Sequence, residues 1–371
     1  MAKKIIQSSN FLTDVEIKNF KSIKHLKFKP KRVNLFIGKP NSGKSNLLEA
    51  LSLLGEVYLQ SNNENVFRDL VRFEKTIQIF YNQNLSENID INTNLGCASL
   101  RYTKNNNCYD FIISPTINDQ KKLKALSPHN TLDNVFKNYW NNNRSNINPN
   151  MLEPYFRMIS EIGNSYRYDD RILRFADKIK KYDFKGIKEY SDKYSLFLLR
   201  NGENLYTILE MNEYLRDVAG DFFEEYNMQF IMISGESKFV IQRKMGKVVY
   251  QLPLLMTPDT FQRLLYYLAA IYSNSNSVLL FEEPEAHSFP PYIAMICELI
   301  AKKPENQYFI STHSPYVYQS IVSKTDKTNL GVWALSYSND QTQMVQLTEK
   351  QVSETLGEGI DIFSNIERYT K

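Results

Sequence analysis

Cysteine, histidine and long apolar runs are scarce in this chain of 371 residues, and each scarcity closes a class of function. The three cysteines, Cys97, Cys108 and Cys297, show neither metal-ligand spacing nor an even disulfide framework, so they read as small core or surface residues of a protein kept in a reducing compartment. The four histidines are scattered, and neither His25 nor His129 lies in a recognisable motif, which leaves a Ser-His-Asp hydrolase or a zinc enzyme without support. No stretch approaches the roughly 20 uncharged apolar residues that cross a bilayer. The opening MAKKIIQSSNFLTDV lacks an apolar segment of signal-peptide length, so no membrane association and a cytoplasmic location are expected. An excess of one charge is missing too: 45 Lys and Arg against 41 Asp and Glu leave +4, which permits a nucleic-acid partner without arguing for one.

What is present is apolar material for a large core, 42% hydrophobic and 13% aromatic, in a length that suits one large domain with an insertion or two domains. Three textures follow one another. Up to about residue 117, the segments DVEIKNF, HLKFKP, RVNLFIG, TIQIFYN, ASLRYT and YDFIIS alternate as strands do, interrupted by one helix after Lys44. Residues 118–225 turn polar and helical, with an Asn-rich link, NNNRSNINPN, and the basic run RILRFADKIKKYDFKGIKEYSDKY, expected to be a solvated helix face. From 226 to 371 strands return (QFIMIS, KFVIQRK, KVVYQL), followed by a helix and two very apolar strands, SVLLF and QYFIS.

Three motifs carry chemistry. GKPNSGKS, residues 38 to 45, satisfies G-x-x-x-x-G-K-[ST] behind an apolar strand and ahead of a helix. Gly38 and Gly43 let backbone N–H groups curl round phosphate oxygens, Lys44 neutralises charge and the Ser45 hydroxyl suits Mg²⁺; Lys39, Pro40, Asn41, Ser42 and Asn46 complete the candidate phosphate loop. Leu47, Leu48, Leu51 and Leu54 recur at helical spacing, giving the helix an apolar face that anchors its positive end at the phosphates. In SVLLFEEPEAHSFPP a buried-type strand ends in two acids: Glu282 is placed to hold Mg²⁺ directly or through water, and Glu283 is the candidate general base. His287, four residues after Glu283, is expected to position that loop rather than ligate metal. QYFISTHSPYV brings His313 to the end of another apolar strand, suited to hydrogen-bond a terminal phosphate and the attacking water.

With these elements together, the chain resembles the ABC-type AAA family ATPases of the RecF, structural-maintenance-of-chromosomes (SMC) and overcoming-lysogenization-defect (OLD) group. IKNFKSIKHLKF followed by GKPNSGKSNLLEAL looks like that group's amino-terminal signature with its Walker A loop, LLFEEPEAHSFPP like its Walker B and D-loop, and STHSP like its switch histidine. The resemblance implies an α/β, two-lobed P-loop NTPase fold with mixed sheets: lobe I over 1–117, a helical insertion over 118–225 and lobe II over 226–371. It also implies a Mg-dependent ATP hydrolase with ATP and Mg²⁺ as cofactors, whose catalytic residues are Lys44, Glu283 and His313 and whose metal ligands are Ser45 and Glu282.

The sequence departs from the group's pattern in three places. Many relatives carry Asp where Glu282 stands, and the longer side chain shifts the metal or makes its contact water-mediated. The signature helix, which reaches the partner subunit's ATP, here reads MTPDTFQRLLYYLAAI, with Thr257 as N-cap, Pro258 at the first helical position, and Thr257 or Thr260 supplying the hydroxyl. Gln83 is the choice for the group's lobe I glutamine. The stretch after His313 contains no Asp-x-Asp pair, so no Toprim nuclease of the OLD kind is expected.

Two outputs stay open. In the first, ATP drives homodimerisation with nucleotide at the interface and controls a separate effector protein, in antiviral (anti-phage) defence. In the second, the chain is a RecF-type DNA-repair or DNA-maintenance ATPase that binds DNA directly and without sequence specificity. The insertion, with Trp140, Tyr166, Arg167, Tyr168, Lys180, Lys181 and Lys188, is the expected contact surface for either partner.

Overall fold

Four strands of near-continuous apolar sequence, VNLFIG, LGVWALSYS, VLLFE and QYFIS, form the middle of the protein because each is covered on both faces. The computed structural model describes residues 10–55, 66–104, 108–114, 155–160, 165–167, 178–357 and 361–370. Along these residues the strands are β1 (Val15–Phe20), β2 (Ile23–Phe28), β3 (Val33–Gly38), β4 (Ile89–Thr93), β5 (Cys97–Thr103), β6 (Cys108–Ser114), β7 (Tyr155–Ile159), β8 (Ser165–Arg167) and β9 (Ile179–Tyr182). They continue as β10 (Gln229–Ile233), β11 (Lys238–Met245), β12 (Val248–Pro253), β13 (Val278–Glu282), β14 (Gln307–Ser311), β15 (Leu330–Ser338) and β16 (Gln341–Gln346). The helices are α1 (Lys44–Ser52), α2 (Val66–Leu70), α3 (Leu205–Glu210), α4 (Glu213–Glu224), α5 (Asp259–Ser273), α6 (Pro290–Lys302), α7 (Pro315–Lys324) and α8 (Glu349–Gly357).

The central sheet runs β16-β15-β3-β14-β13-β9, parallel except for the β15–β16 hairpin. Side chains two apart face the same way. Phe36, Val278, Leu280, Phe309, Trp333 and Leu335 therefore pack with α1 and the first sheet, while Val33, Leu35, Leu279, Phe281, Tyr308 and Ile310 pack with the helices on the opposite face. That first sheet is antiparallel throughout, in the order β2-β1-β4-β5-β6-β7-β8, and encloses α1 against the central sheet. A third, antiparallel sheet, β10-β11-β12, precedes α5. Helix α5 is buried continuously from Phe261 to Ile271, wider than the single apolar face expected from Phe261, Leu264, Leu265 and Leu268. The architecture is the α/β fold with mixed sheets that was expected, with the GKPNSGKS loop between a parallel strand and a helix.

Local departures have identifiable causes. TIQIFYN is not a strand but two 3₁₀ turns, Thr76–Ile79 and Tyr81–Gln83, with Asn82 and Gln83 at positive φ, a conformation incompatible with a ladder. Within 118–225, expected to be helical, the described residues form strands as well as helices. β7 and β8 extend the first sheet, β9 joins the central one, and α3 and α4 follow. The Asn-rich link, Trp140 and Tyr168 lie outside the described residues. Lys180 and Lys181, expected on a solvated helix face, are instead buried in β9. Their aliphatic stems lie in the sheet, while Lys180 Nζ donates to Asn274 Oδ1 at 2.8 Å and Lys181 Nζ pairs with Glu282 Oε2 at 2.7 Å. They belong to no outward-facing surface.

Candidate nucleotide site

The parallel register aligns the ends of three strands. Phe36 of β3 pairs with Ser311 of β14, and Ser311 pairs with Glu282 of β13. One or two residues further on come Gly38, His313 and Glu283, so all three motifs open on one edge of the sheet, where ligands of parallel sheets gather.

The loop from 38 to 45 needs both its glycines. A Cβ on Gly38 would lie 2.3 Å from the Leu335 carbonyl oxygen, and one on Gly43, at φ +96°, would lie 2.1 Å from Thr342 Oγ1. Lys44 is buried, and its Nζ donates to the carbonyls of Gly38 at 3.0 Å and Lys39 at 2.9 Å and to Ser42 Oγ at 3.3 Å. Burial pushes its pKa down to about 8, with the charges of Glu283 and Glu285 opposing the shift. Lys39 is exposed and paired with Glu367, Pro40 is exposed, and Asn41 is exposed at φ +62°. Asn46 turns away from the loop, its Nδ2 donating to Ser22 Oγ at 2.7 Å.

Ser45 and Glu282 meet. The Ser45 hydroxyl lies near the Glu282 carboxylate and helps to lower its pKa. A hydroxyl and a carboxylate are the hard oxygen donors that Mg²⁺ takes when phosphates and water complete its octahedron, so the residues present fit that ion. The Glu282 carboxylate is further engaged by Lys181 at Oε2 and by Arg72 Nη2 at Oε1, 2.7 and 2.9 Å away. Burial would raise its pKa, but the charge and hydrogen bond of Lys181, then Ser45 and Arg72, hold it below the ordinary carboxylate value. Among the described residues, no cluster of three or more His, Cys, Asp or Glu could hold a metal by itself.

Glu283 sits at φ +44°, a strained conformation for a non-glycine residue, fixed by its N–H donating to the Ser311 carbonyl at 3.0 Å. Its Oε1 lies 3.6 Å from His313 Nε2. Burial and the nearby Lys44 charge lower the His313 pKa against the opposing pull of Glu283, which favours the neutral imidazole. The backbone of His313 is placed by a residue that sequence reading passed over. Glu285 Oε1 accepts from Thr312 Oγ1 at 2.6 Å and from the His313 N–H at 3.0 Å. Burial raises the Glu285 pKa despite those two bonds.

The expected signature hydroxyls are engaged elsewhere. Thr257 is no N-cap: α5 begins at Asp259 after Pro258, and Thr257 is buried with Oγ1 donating to the Leu254 carbonyl at 2.6 Å. The cause is the preceding 3₁₀ turn, Leu254–Met256, which Thr257 closes. Thr260 Oγ1 donates to the His287 carbonyl at 2.6 Å, which ties α5 to the segment after the acidic pair and agrees with a positioning role for that segment. Gln83 is exposed in its 3₁₀ turn, and it is β9 that comes to Glu282.

Also unforeseen was Glu49, fully buried in α1, which binds Lys21 Nζ at 2.5 Å and Arg72 Nε at 2.7 Å. An acid amid the leucines of NLLEALSLL was the available signal, as was the pair of lysines in the strand-like IKKY.

A G-x-x-x-x-G-K-[ST] loop between a parallel strand and a helix, with paired acids at the end of β13 one strand beyond β14, defines the class of P-loop nucleotide-binding domains. Residues 33–318 match the protein family described as "AAA domain, putative AbiEii toxin, Type IV TA system", and the chain belongs to that family. Among solved structures it is similar to an SMC head bound to the C-winged helix domain of ScpA (14% identity, 92% of this chain and 99% of that chain, TM-score 0.47). It is also similar to an SMC head with an extended coiled coil, bound to the C-terminal domain of ScpA, from Pyrococcus furiosus (13%, 94% and 99%, 0.44). A third is the SMC head domain from Thermotoga maritima (12%, 91% and 99%, 0.37). No curated protein matches the chain.

Proposed function

We propose that this chain binds Mg-ATP in the loop after β3, hydrolyses it, and uses ATP-driven pairing of two copies to control a separate effector in anti-phage defence. The observation that supports the chemistry is the meeting of Ser45 with Glu282 beside Lys44, while Glu283 and His313 face each other at the same sheet edge. The loop N–H groups and Lys44 bind and orient the phosphates. Ser45 and Glu282 would hold Mg²⁺, which when bound would neutralise phosphate charge. Glu283 accepts a proton from the water that attacks the γ-phosphorus, ADP departs with the bridging oxygen, and neutral His313 hydrogen-bonds the transferring group.

The family's description includes a toxin–antitoxin system, which supports a defence setting. Direct DNA binding is the weaker reading, because Lys180 and Lys181 are buried side chains with partners of their own.

The test is turnover together with binding. Lys44→Ala should lose ATP binding, and Glu283→Gln should bind ATP yet hydrolyse it at least about a hundredfold more slowly, the scale of a positioned base. Parent-like turnover by Glu283→Gln would refute the assignment.

A further inference from the structure

Glu282 is an unusual metal ligand because its charge is already met from within the chain. Two cations bind it, and they differ in freedom. Arg72 is 63% accessible and is held at Nε by the buried Glu49, so only its Nη2 contact has to open to free Oε1. Lys181 cannot leave: its side chain is 2% accessible, it lies in β9 beside β13, and the parallel register pairs Lys181 with Leu280, which puts it on the same face as Glu282 and beneath α1. When the Arg72 Nη2 contact opens, Oε1 becomes available while Oε2 stays bound to Lys181.

We propose that Lys181 is a positioning residue for the metal site: a fixed internal cation that presents Oε1 of Glu282 beside Ser45 and, by its charge, keeps divalent-metal affinity low. The inference rests on the nucleotide reading above. It accounts for glutamate at 282, since the side chain must reach Lys181 as well as the loop. Charge decides the direction of the effect. A lysine this close to a metal ligand repels a divalent ion across a partly desolvated path.

The experiment is a Mn²⁺ titration followed by electron paramagnetic resonance, with ADP present, on full-length protein. Lys181→Met should bind Mn²⁺ on the order of tenfold more tightly than the parent. In a Glu282→Gln background the ion pair is gone but the direct repulsion remains, so the same substitution should still tighten Mn²⁺ binding, though by less than in the parent. Should Lys181→Met not fold, Glu282→Asp decides, since the shortened carboxylate gives up Lys181 and should also bind Mn²⁺ more tightly. Parent-like or weaker Mn²⁺ binding in the folded variant overturns the proposal and leaves the nucleotide reading intact. A parent protein with no nucleotide-dependent Mn²⁺ binding overturns both.

Discussion

At the scale of single residues, the site is organised by where burial and charge oppose each other. Lys44 is the clearest case: burial lowers its pKa to about 8, and a phosphate anion placed against it would restore the charged form. ATP binding should therefore take up a fraction of a proton at pH 8 and almost none at pH 6.5, where Lys44 is already charged. Calorimetry in buffers of different ionisation enthalpy reads this directly. Proton release at pH 8, or no dependence on buffer, would contradict it, and Lys44→Arg, which stays charged, should abolish the uptake. The same lowered pKa gives a stability effect of definite sign. Between about pH 8 and the unfolded value of 10.5, the unfolded chain holds the proton that the folded one has lost, so the nucleotide-free protein gains stability from this group as pH rises through that window. Below pH 8 both states are protonated and the contribution is constant.

At the scale of elements, the phosphate loop is shaped by its neighbours as much as by its own residues. Three glycines separate the causes. Gly220 lies inside α4 with open space around it, Gly235 has φ +81° and open space, and Gly43 has φ +96° with Thr342 Oγ1 at 2.1 Å from a built Cβ. Alanine at Gly220 should stabilise by roughly 0.5–1 kcal/mol, alanine at Gly235 should cost about 1 kcal/mol, and alanine at Gly43 should cost clearly more than at Gly235. Chemical denaturation of the three variants orders them, and equal costs at Gly43 and Gly235 would show that Thr342 does not shape the loop. This scale also marks what the sequence disclosed. The placement of the GKPNSGKS loop, the acidic pair and His313 was legible because each follows an apolar strand, and strand ends of a parallel sheet converge. Thr257 was misread because Thr-Pro looks like a helix start, whereas a 3₁₀ turn ahead of it consumes the hydroxyl. β9 was hidden because its lysines imitate a solvated face, and only long-range pairing with β13 reveals why a buried strand carries them. Glu285 and Arg72 were illegible for the same reason, since their partners lie far away in the chain.

At the scale of the whole molecule, one edge of the central sheet carries three motifs, and the proposed cycle completes the site with a second copy. In the proposed closed pair each copy's α5 start would lie against the other's nucleotide, and Met256, 70% exposed just before that helix, would lie on that surface. Met256→Arg should weaken pairing without touching the loop; the buried Thr257 is a poor site for that test because arginine there disturbs packing. One measurement tests the central claim most directly: size-exclusion chromatography with in-line light scattering of Glu283→Gln after incubation with Mg-ATP, followed by identification of the nucleotide in the protein peak. The account predicts a peak with the mass of two chains that carries ATP rather than ADP, reduced to one chain in Met256→Arg and free of nucleotide in Lys44→Ala. A single-chain peak, or one that carries only ADP, would contradict it.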